Sequence, residues 1–330
     1  MQKQKNTDSV NEKNRQLTDG IEMLSEKVRN DEKSGGSERK IVKDEIRRQK
    51  EREENKLQTK IGKETDVEIK DMLLTEMIKI VEEAGEILLS ASHIEEAVEE
   101  KSGHANFVTA YDKKVQDFLF SKLKEVLPEA VFIGEEEEEH QALPEGYAFI
   151  IDPIDGTTNF MKGYHVSSIS VGLLKAGQPE IGVVYNPYLH EVFYAGKGMG
   201  AFCNGRPIKA SGHGLSDGII LFGTAPYNEE LAGKSFDWAY SLFIRSMDIR
   251  RSGSAAIDLC NIACGRAELY FELLLSPWDY AAGALIVTEA GGHICTPNGG
   301  KLLFDEKCGV VAAGEKAMRD FEELLQENIL

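Results

Sequence analysis

The chain has 330 residues and a formal net charge of −18, with 56 Asp and Glu against 38 Lys and Arg. That balance argues against a nucleic-acid-binding surface, because a phosphate backbone would be repelled over most of the molecule. No apolar run reaches the length of a transmembrane helix. We therefore expect neither membrane contact nor direct binding of nucleic acid.

Composition changes sharply near residue 66. Residues 1–66 contain no aromatic residue and carry 17 Lys and Arg against 15 Asp and Glu, so they bury too little apolar surface to offset their ordering entropy. We interpret them as a charged tail, disordered or partly helical. A docking arm and a misassigned start codon remain alternatives. Residues 67–330 are predicted to form the folded domain, as two packed subdomains with a boundary near 200–217.

Within the folded part, apolar spacing of three and four predicts helices at 67–91 and Thr109–Val126. A hairpin turn is predicted at Lys175–Pro179. The predicted strands are Ala130–Ile133, Tyr147–Ile151, Ser167–Leu174, Glu180–Tyr185, Glu191–Ala195, Gly218–Phe222, Met247–Arg250, Glu268–Glu272 and Gly309–Ala312, and the later helices are 228–245, 254–264, Pro277–Ala290 and Glu315–Leu325. Because these elements come in clusters, the order favours an α/β (α+β) fold with mixed sheets in layers over a barrel.

The segment Phe149–Phe160 is typical of a buried strand that ends in two carboxylates three residues apart, Asp152 and Asp155. Such acids repel one another and lose hydration, and a divalent cation would compensate. Turn and cap chemistry would explain only one of them. The backbone N–H groups of Gly156 and Thr157 suit a phosphate beside that cation. The segment therefore predicts a metal ion next to a phosphate.

Further acidic positions have structural explanations when taken singly. Glu135 and Glu136 belong to a longer charged run, Asp279 fits a helix capping box, and Asp112 fits the first turn of a helix. Together with the two strand-end acids, they form a set of hard oxygen ligands without a His or Cys cluster, which suits magnesium. One carboxylate shared by two ions is the arrangement of two-metal phosphoryl hydrolysis.

At these residues the chain resembles the inositol monophosphatase family, over about residues 70–325. The motifs that match, in order and spacing, are Phe132–Glu136, Asp152–Phe160, and Trp278–Gly283 running into Thr288–Gly292. The resemblance implies a layered α/β/α/β/α sandwich of the inositol monophosphatase and fructose-1,6-bisphosphatase type. It also implies a homodimer and inhibition by lithium.

The resemblance further implies which residues hold the metal, two or three Mg²⁺ ions per site for which Mn²⁺ can substitute. Glu135, Asp152 and the carbonyl of Ile154 would hold one ion. Asp152, Asp155 and Asp279 would hold a second, and Glu135 can also reach a third, weaker site.

The resemblance assigns the water and the substrate as well. Thr157 would pair with Asp112 to position the nucleophilic water, and Glu136 would support the waters of the metal site. A further set of residues would contact the phosphate, the leaving group or the mouth of the site. Lys101, at the mouth, fits a solvated loop equally well. These substrate-side residues are Gly156, Thr157, Gly253, Ser254, Ala255, Glu272 and Lys101.

The predicted activity is Mg²⁺-dependent hydrolysis of a phosphate monoester by metal-activated water, with inositol-1-phosphate as the leading substrate. Fructose-1,6-bisphosphate or another sugar phosphate is the alternative. Nucleotide phosphatases of the superfamily usually have Lys-Glu where this chain has Thr158 and Asn159, so these two residues argue against a nucleotide substrate. An alternative of another class is a docking protein of the transcription or translation machinery that uses the charged tail. Five cysteines without paired spacing predict reduced thiols and a cytoplasmic protein.

Overall fold

The computed structural model describes part of the chain. The described residues are 48, 67–92, 98–100, 107–137, 142–226 and 228–330. The chain divides into two compact units, Met1–Ile69 and Lys70–Leu330. Apart from Arg48, the proposed tail lies outside the described residues, so the division into a tail and a domain at residue 67 stays a prediction.

From residue 67 onward, the described residues form seven α-helices and fourteen strands. The helices are α1 (67–89), α2 (Ala110–Val126), α3 (Thr157–Met161), α4 (Glu229–Phe243), α5 (Ala255–Ala263), α6 (Pro277–Glu289) and α7 (Glu315–Gln326). The strands are β1 (Val98–Glu100), β2 (Phe107–Thr109), β3 (Val131–Gly134), β4 (Tyr147–Asp155), β5 (Ser168–Lys175), β6 (Gln178–Asn186), β7 (Glu191–Gly196), β8 (Gly200–Cys203), β9 (Arg206–Pro207), β10 (Ile219–Phe222), β11 (Asp248–Arg250), β12 (Leu269–Leu275), β13 (His293–Cys295) and β14 (Cys308–Ala313).

Every helix and strand predicted from the apolar pattern is present, and so is the hairpin turn between β5 and β6. Most ends differ by one or two residues, but β4 continues four residues further than predicted, to Asp155. The sequence analysis missed β1, β2, β8, β9, β13 and the short helix α3. These elements have only two to five residues, too few for a periodic pattern to form.

The main strands form two mixed sheets. The seven-stranded sheet has the order β3-β4-β5-β6-β7-β8-β9 and is antiparallel except where β3 pairs with β4. The five-stranded sheet has the order β11-β10-β12-β14-β13, with parallel pairing among the first three strands. Mixed sheets of this kind need helices on the faces to bury their apolar side chains.

Alternation along the strands sends side chains into separate cores. On β4, Phe149 and Ile151 pack with α1 and α2, whereas Ile150 points into the core that holds α5 and α6. On β12, Tyr270 joins that same middle core and Phe271 packs with α4 and α7. The layers are therefore α1 and α2, the seven-stranded sheet, α5 and α6, the five-stranded sheet, then α4 and α7. This confirms the predicted α/β/α/β/α sandwich.

The two sheets use successive parts of the chain. The seven-stranded sheet ends with β9 at Pro207, and the five-stranded sheet begins with β10 at Ile219. The boundary between subdomains near 200–217 stays a prediction. Among the residues that the structure describes, no helix combines the length and the apolar character needed to cross a membrane.

Candidate metal and phosphate site

A β-bulge at the end of β4 directs Asp152 and Asp155 toward the same side of the sheet. The ladder pairs Asp152 with Ser170 and Asp155 with Ser168, so three steps along β4 match two steps along β5. In a regular strand, residues three apart would face opposite sides, and the extra residue removes that mismatch. The N–H of Ile154 donates to Oδ1 of Asp152 at 3.0 Å, and this bond stabilises the bulge.

The third acid of the cluster comes from the first turn of α6. The capping box anticipated from the sequence is present, and the N–H of Ser276 donates to Oδ2 of Asp279 at 2.7 Å. The cap therefore occupies one carboxylate oxygen. Asp152, Asp155 and Asp279 each offer an oxygen to a common point, and these three atoms lie within 4.8 Å of one another.

Asp155 is held against the N-terminus of α5. Its Oδ2 accepts hydrogen bonds from Ser254 Oγ at 2.5 Å, from the N–H of Ala256 at 2.8 Å and from Ser168 Oγ at 3.4 Å. The N–H of Ala255 donates to Oδ1 at 3.3 Å. The positive end of the helix dipole adds to this stabilisation of the ionised carboxylate.

The pKa values of these acids are raised by burial and by one another. Burial, followed by the charges of Glu135 and Asp155, raises the pKa of Asp152 well above its ordinary value. Desolvation and the charge of Asp155 raise the pKa of Asp279 in the same way. Burial raises the pKa of Asp155 to about 6, against the opposing effect of the Ser254 hydrogen bond. Clustered carboxylates with raised pKa values and only oxygen donors fit a hard divalent cation.

Glu135 and Glu136 lie beside this cluster, just beyond β3. Glu135 lines the same cleft, and its N–H donates to the carbonyl of Ile151 at 3.1 Å. The N–H of Glu136 donates to Oε1 of Gln116 at 3.1 Å, and its charge contributes to the raised pKa of Asp112. The run of acidic residues after β3 therefore includes one, Glu135, that faces the site.

Thr157 and Asp112 lie together, as predicted. Thr157 Oγ1 is 3.4 Å from Oδ1 of Asp112 and 3.1 Å from the carbonyl of Ile154. Thr109 holds the other oxygen of Asp112, through its N–H at 2.7 Å and its hydroxyl at 2.5 Å. Complete burial raises the pKa of Asp112 to about 7, although the Thr109 bonds oppose the rise.

Gly156 connects β4 to α3 at a point where the backbone is crowded. Its φ is +88°, and a Cβ there would lie 3.0 Å from the carbonyl oxygen of Val166 and 3.1 Å from that of Gly253. Asn159 fastens the same region, because its Nδ2 donates to Val166 O at 2.7 Å and to Ser252 O at 2.9 Å. Only glycine allows the loop before α5 to approach the turn between β4 and α3 this closely.

The proposed substrate acid, Glu272, lies on the wall formed by the five-stranded sheet. Its Oε1 accepts from the N–H of Ala225 at 2.9 Å, and its Oε2 accepts from the hydroxyl of Tyr270 at 3.0 Å. Burial raises the pKa of Glu272, while those two bonds and the charge of Arg251 lower it. The side chain is therefore fixed in one position.

The cleft between these elements has a volume of about 680 Å³. It brings together most of the predicted site residues, whereas Asp112 and Glu136 stand behind its wall and Lys101 lies outside the described residues. The predicted residues that line it are Glu135, Asp152, Ile154, Asp155, Gly156, Thr157, Gly253, Ser254, Ala255, Glu272 and Asp279.

Several residues of the site were missed from the sequence. Arg251 and Lys307 add positive charge to the lining, and Nε of Arg251 donates to Oγ1 of Thr224 at 3.3 Å. Ser168 reaches Asp155 from the neighbouring strand. Single basic residues in loops and a serine in a core strand carry no pattern that indicates a site. Only the pairing of distant elements brings them to the cleft.

Comparison with known proteins gives consistent matches over the folded part. The inositol monophosphatase family matches residues 69–329. The chain is 37% identical over 256 residues to inositol monophosphatase 3 of Solanum lycopersicum, and the alignment covers 76% of this chain and 94% of that relative. It is 36% identical over 230 residues to Nus factor SuhB of Salmonella typhimurium, and that alignment covers 69% of this chain and 86% of the relative. The crystal structure of SuhB from Bartonella henselae gives a TM-score of 0.71 at 32% identity, covering 77% of this chain and 98% of that chain.

Proposed function

Because this chain belongs to the inositol monophosphatase family, we propose that it hydrolyses inositol-1-phosphate to inositol and phosphate, with Mg²⁺ as its cation. Membership makes it a phosphatase of a metal-dependent family. The observation that carries the proposal is the approach of oxygens from Asp152, Asp155 and Asp279 to within 4.8 Å of one another. That cluster lies in a cleft lined by the Gly156–Thr157 turn.

The carboxylates would hold the cations in two overlapping sets. Glu135, Asp152 and the carbonyl of Ile154 form the first, and Asp152, Asp155 and Asp279 form the second. When bound, the cations supply the positive charge that attracts the phosphate and lowers the pKa of water. The bulge, the capping box and the α5 N-terminus fix the carboxylates in advance, so little reorganisation is needed.

Asp112 is the proton acceptor in this proposal. Its Oδ2 is held by Thr109, which leaves Oδ1 facing the hydroxyl of Thr157. A pKa of about 7 suits a general base at neutral pH. A water in the cleft would donate to Thr157 Oγ1, and that hydroxyl would pass a proton to Asp112. Glu136 would support the waters of the metal site.

The substrate would lie between the two walls of the cleft. The N–H groups of Gly156 and Thr157 would hold the phosphate, since backbone donors at a turn are suited to anions. Glu272 would accept hydroxyl protons of the leaving group, and Gly253–Ala255 would line its path. Ser254 points its hydroxyl at Asp155, so its part in substrate binding would be indirect.

A phosphate-release assay on the full chain tests the proposal. Inositol-1-phosphate, fructose-1,6-bisphosphate, a 3′-phosphoadenosine nucleotide and histidinol phosphate would be compared with and without Mg²⁺. We expect Mg²⁺-dependent turnover, fastest on inositol-1-phosphate and inhibited by lithium. A nucleotide as the best substrate would contradict the substrate assignment, and equal turnover after chelation would contradict the metal assignment.

Asp152→Asn provides the matching variant. The substitution keeps the size of the side chain and an acceptor for the Ile154 N–H, but removes the charge that both ion sites share. We expect kcat to fall by at least about 100-fold, with the far-ultraviolet circular dichroism unchanged. A folded Asp152→Asn protein that keeps a near-normal kcat with Mg²⁺ would exclude the two-ion mechanism.

A docking function is the second candidate, because one relative is a Nus factor. The charged residues 1–66 would serve as the docking segment. A pulldown with the full chain and with a variant lacking 1–66 tests this. A stoichiometric partner recovered only with the tail, by a protein without turnover, would favour docking over catalysis.

Two further properties complete the proposal. The five cysteines are free thiols, which supports a reducing, cytoplasmic location. We also propose a homodimer, to be tested by light scattering coupled to size-exclusion chromatography. A monomeric mass at micromolar concentration would contradict it.

A further inference from the structure

Ser168 is a buried serine in the core strand β5, directly opposite Asp155 in the ladder. We propose that Ser168 is a positioning residue which, together with Ser254, selects the single oxygen that Asp155 presents to the cation. This inference rests on the proposed function, because it concerns the same metal site. Ser168 is not among the residues that line the cleft.

The surroundings of Ser168 explain why its hydroxyl must have a partner. The side chain is fully buried, and the next residue along β5, Ile169, packs into the apolar core on the other face. Burying a hydroxyl without a hydrogen bond is destabilising. Ser168 Oγ lies 3.4 Å from Asp155 Oδ2 and 3.3 Å from Ser254 Oγ. The Ser168 hydroxyl proton therefore goes to Asp155 or to Ser254. Both belong to what we call the Asp155 clamp, the hydrogen bonds that Ser168, Ser254, Ala255 and Ala256 make to Asp155.

The donors around Asp155 are distributed unequally between its two oxygens. Oδ2 accepts two short bonds, from Ser254 Oγ and the N–H of Ala256, and a longer one from Ser168 Oγ, whereas among the described residues Oδ1 accepts one long bond, from the N–H of Ala255. A carboxylate has about four acceptor positions in all. Oδ2 is therefore saturated by the protein, and Oδ1 is the oxygen left to face the cluster. Asp155 would bind a cation through that one oxygen.

Ser254 and Ser168 differ in the other contacts that they make. Ser254 is the N-cap of α5, and its hydroxyl also accepts from the N–H of Ile257 at 3.3 Å. Ser168 has no such duty to the helix, and its contacts join Asp155 to Ser254 across the bulge. Removing the Ser168 hydroxyl would take away one of the three donors that hold Oδ2, while the helix cap stays intact. Loss of a residue that orients a metal ligand typically costs 10–100-fold in metal affinity or activity.

The test compares Ser168→Ala with Ser235→Ala. Ser235 is another fully buried serine, on α4, whose hydroxyl donates to the carbonyl of Leu231 at 2.8 Å and lies outside the cleft. Isothermal titration of each purified, chelator-treated full-length variant with Mn²⁺ gives the metal Kd directly. We expect the Kd to rise at least about 10-fold for Ser168→Ala and to stay within twofold for Ser235→Ala. A Kd for Ser168→Ala within twofold of the parent protein would overturn the inference.

Two further variants separate the possible failures. Ser168→Thr keeps the hydroxyl and should retain the parent affinity, whereas Ser168→Cys keeps the volume with a weaker donor and should bind as poorly as Ser168→Ala. If Ser168→Ala fails to fold, Ser168→Cys decides the question in its place. Asp155→Asn tests the metal site itself. Unchanged Mn²⁺ binding by Asp155→Asn would contradict the proposed function. Loss of Mn²⁺ binding by Asp155→Asn together with normal binding by Ser168→Ala would contradict only this inference.

Discussion

At Asp112, one side chain combines a structural role with a proposed chemical one. Thr109 holds Oδ2 through the capping box of α2, and Oδ1 faces Thr157 at the start of α3. The capping contact and the proposed functional contact of Asp112 therefore use different oxygens. The same division holds at Asp279, where Oδ2 completes the cap of α6.

Substitution of Asp112 tests the proton acceptor. The carboxyl group must be ionised to accept a proton, so kcat should rise with pH toward the pKa of about 7 and then level off, with bound cations shifting the rise to lower pH. Asp112→Asn keeps an acceptor for Thr109 but cannot take a proton. We expect a 10²–10⁴-fold lower kcat, without the acidic limb of the profile.

The pH dependence of kcat for the parent, Asp112→Asn and Thr157→Val provides the measurement. Thr157→Val removes the relaying hydroxyl at nearly constant volume and should lower kcat without moving the metal Kd. An Asp112→Asn enzyme with the parent pH profile would show that another group accepts the proton.

At the scale of single elements, the apolar pattern predicted the long helices and strands, but it missed features that depend on pairing between distant segments. The run at β4, the acid in the first turn of α2 and the cap of α6 could be identified from a few neighbouring residues. The bulge between Asp152 and Asp155 could not, because it exists only against Ser168 and Ser170 of β5. Nor could the Asp155 clamp, since Ser254 stands 99 residues further along the chain.

Gly156→Ala tests the turn between β4 and α3. Gly156 and Gly163 both have positive φ, +88° and +61°, but a Cβ at Gly163 would meet no atom within 4 Å. Gly163→Ala should therefore cost only the conformational penalty of about 1–2 kcal/mol in the free energy of unfolding. Gly156→Ala should cost more and should also lower kcat, because Gly253 must move.

Urea unfolding and phosphate release on both variants give the comparison. Equal losses of stability, with full activity in Gly156→Ala, would mean that the close approach of the loop before α5 is not needed for function.

For the whole molecule, the cluster of buried acids predicts how stability responds to pH and to metal. A carboxyl group with a higher pKa in the folded protein binds more protons there than in the unfolded chain, between the two pKa values. Asp155 and Asp112 rise from 3.8 to about 6 and about 7. Their contribution to the free energy of unfolding is therefore present below pH 4 and lost as the pH rises to about 7.

The melting temperature of the chelator-treated protein measures this contribution. We expect Asp155→Asn to flatten the fall in stability between pH 5 and pH 7.5 relative to the parent. Added Mg²⁺ should raise the melting temperature more at pH 7.5 than at pH 5, because protonated acids do not bind it. A metal effect that is equal at both pH values would contradict the cluster as the binding site.

We propose that acids from β4 and α6, with Glu135 beside them, form one binding site for divalent cations. The most direct measurement is the anomalous difference map of a crystal grown with Mn²⁺ and inorganic phosphate. We expect at least two peaks within about 2.5 Å of carboxylate oxygens, with Asp152 between them and Asp155 contributing only Oδ1. Acids that point apart, with no anomalous peak among Asp152, Asp155 and Asp279, would contradict it.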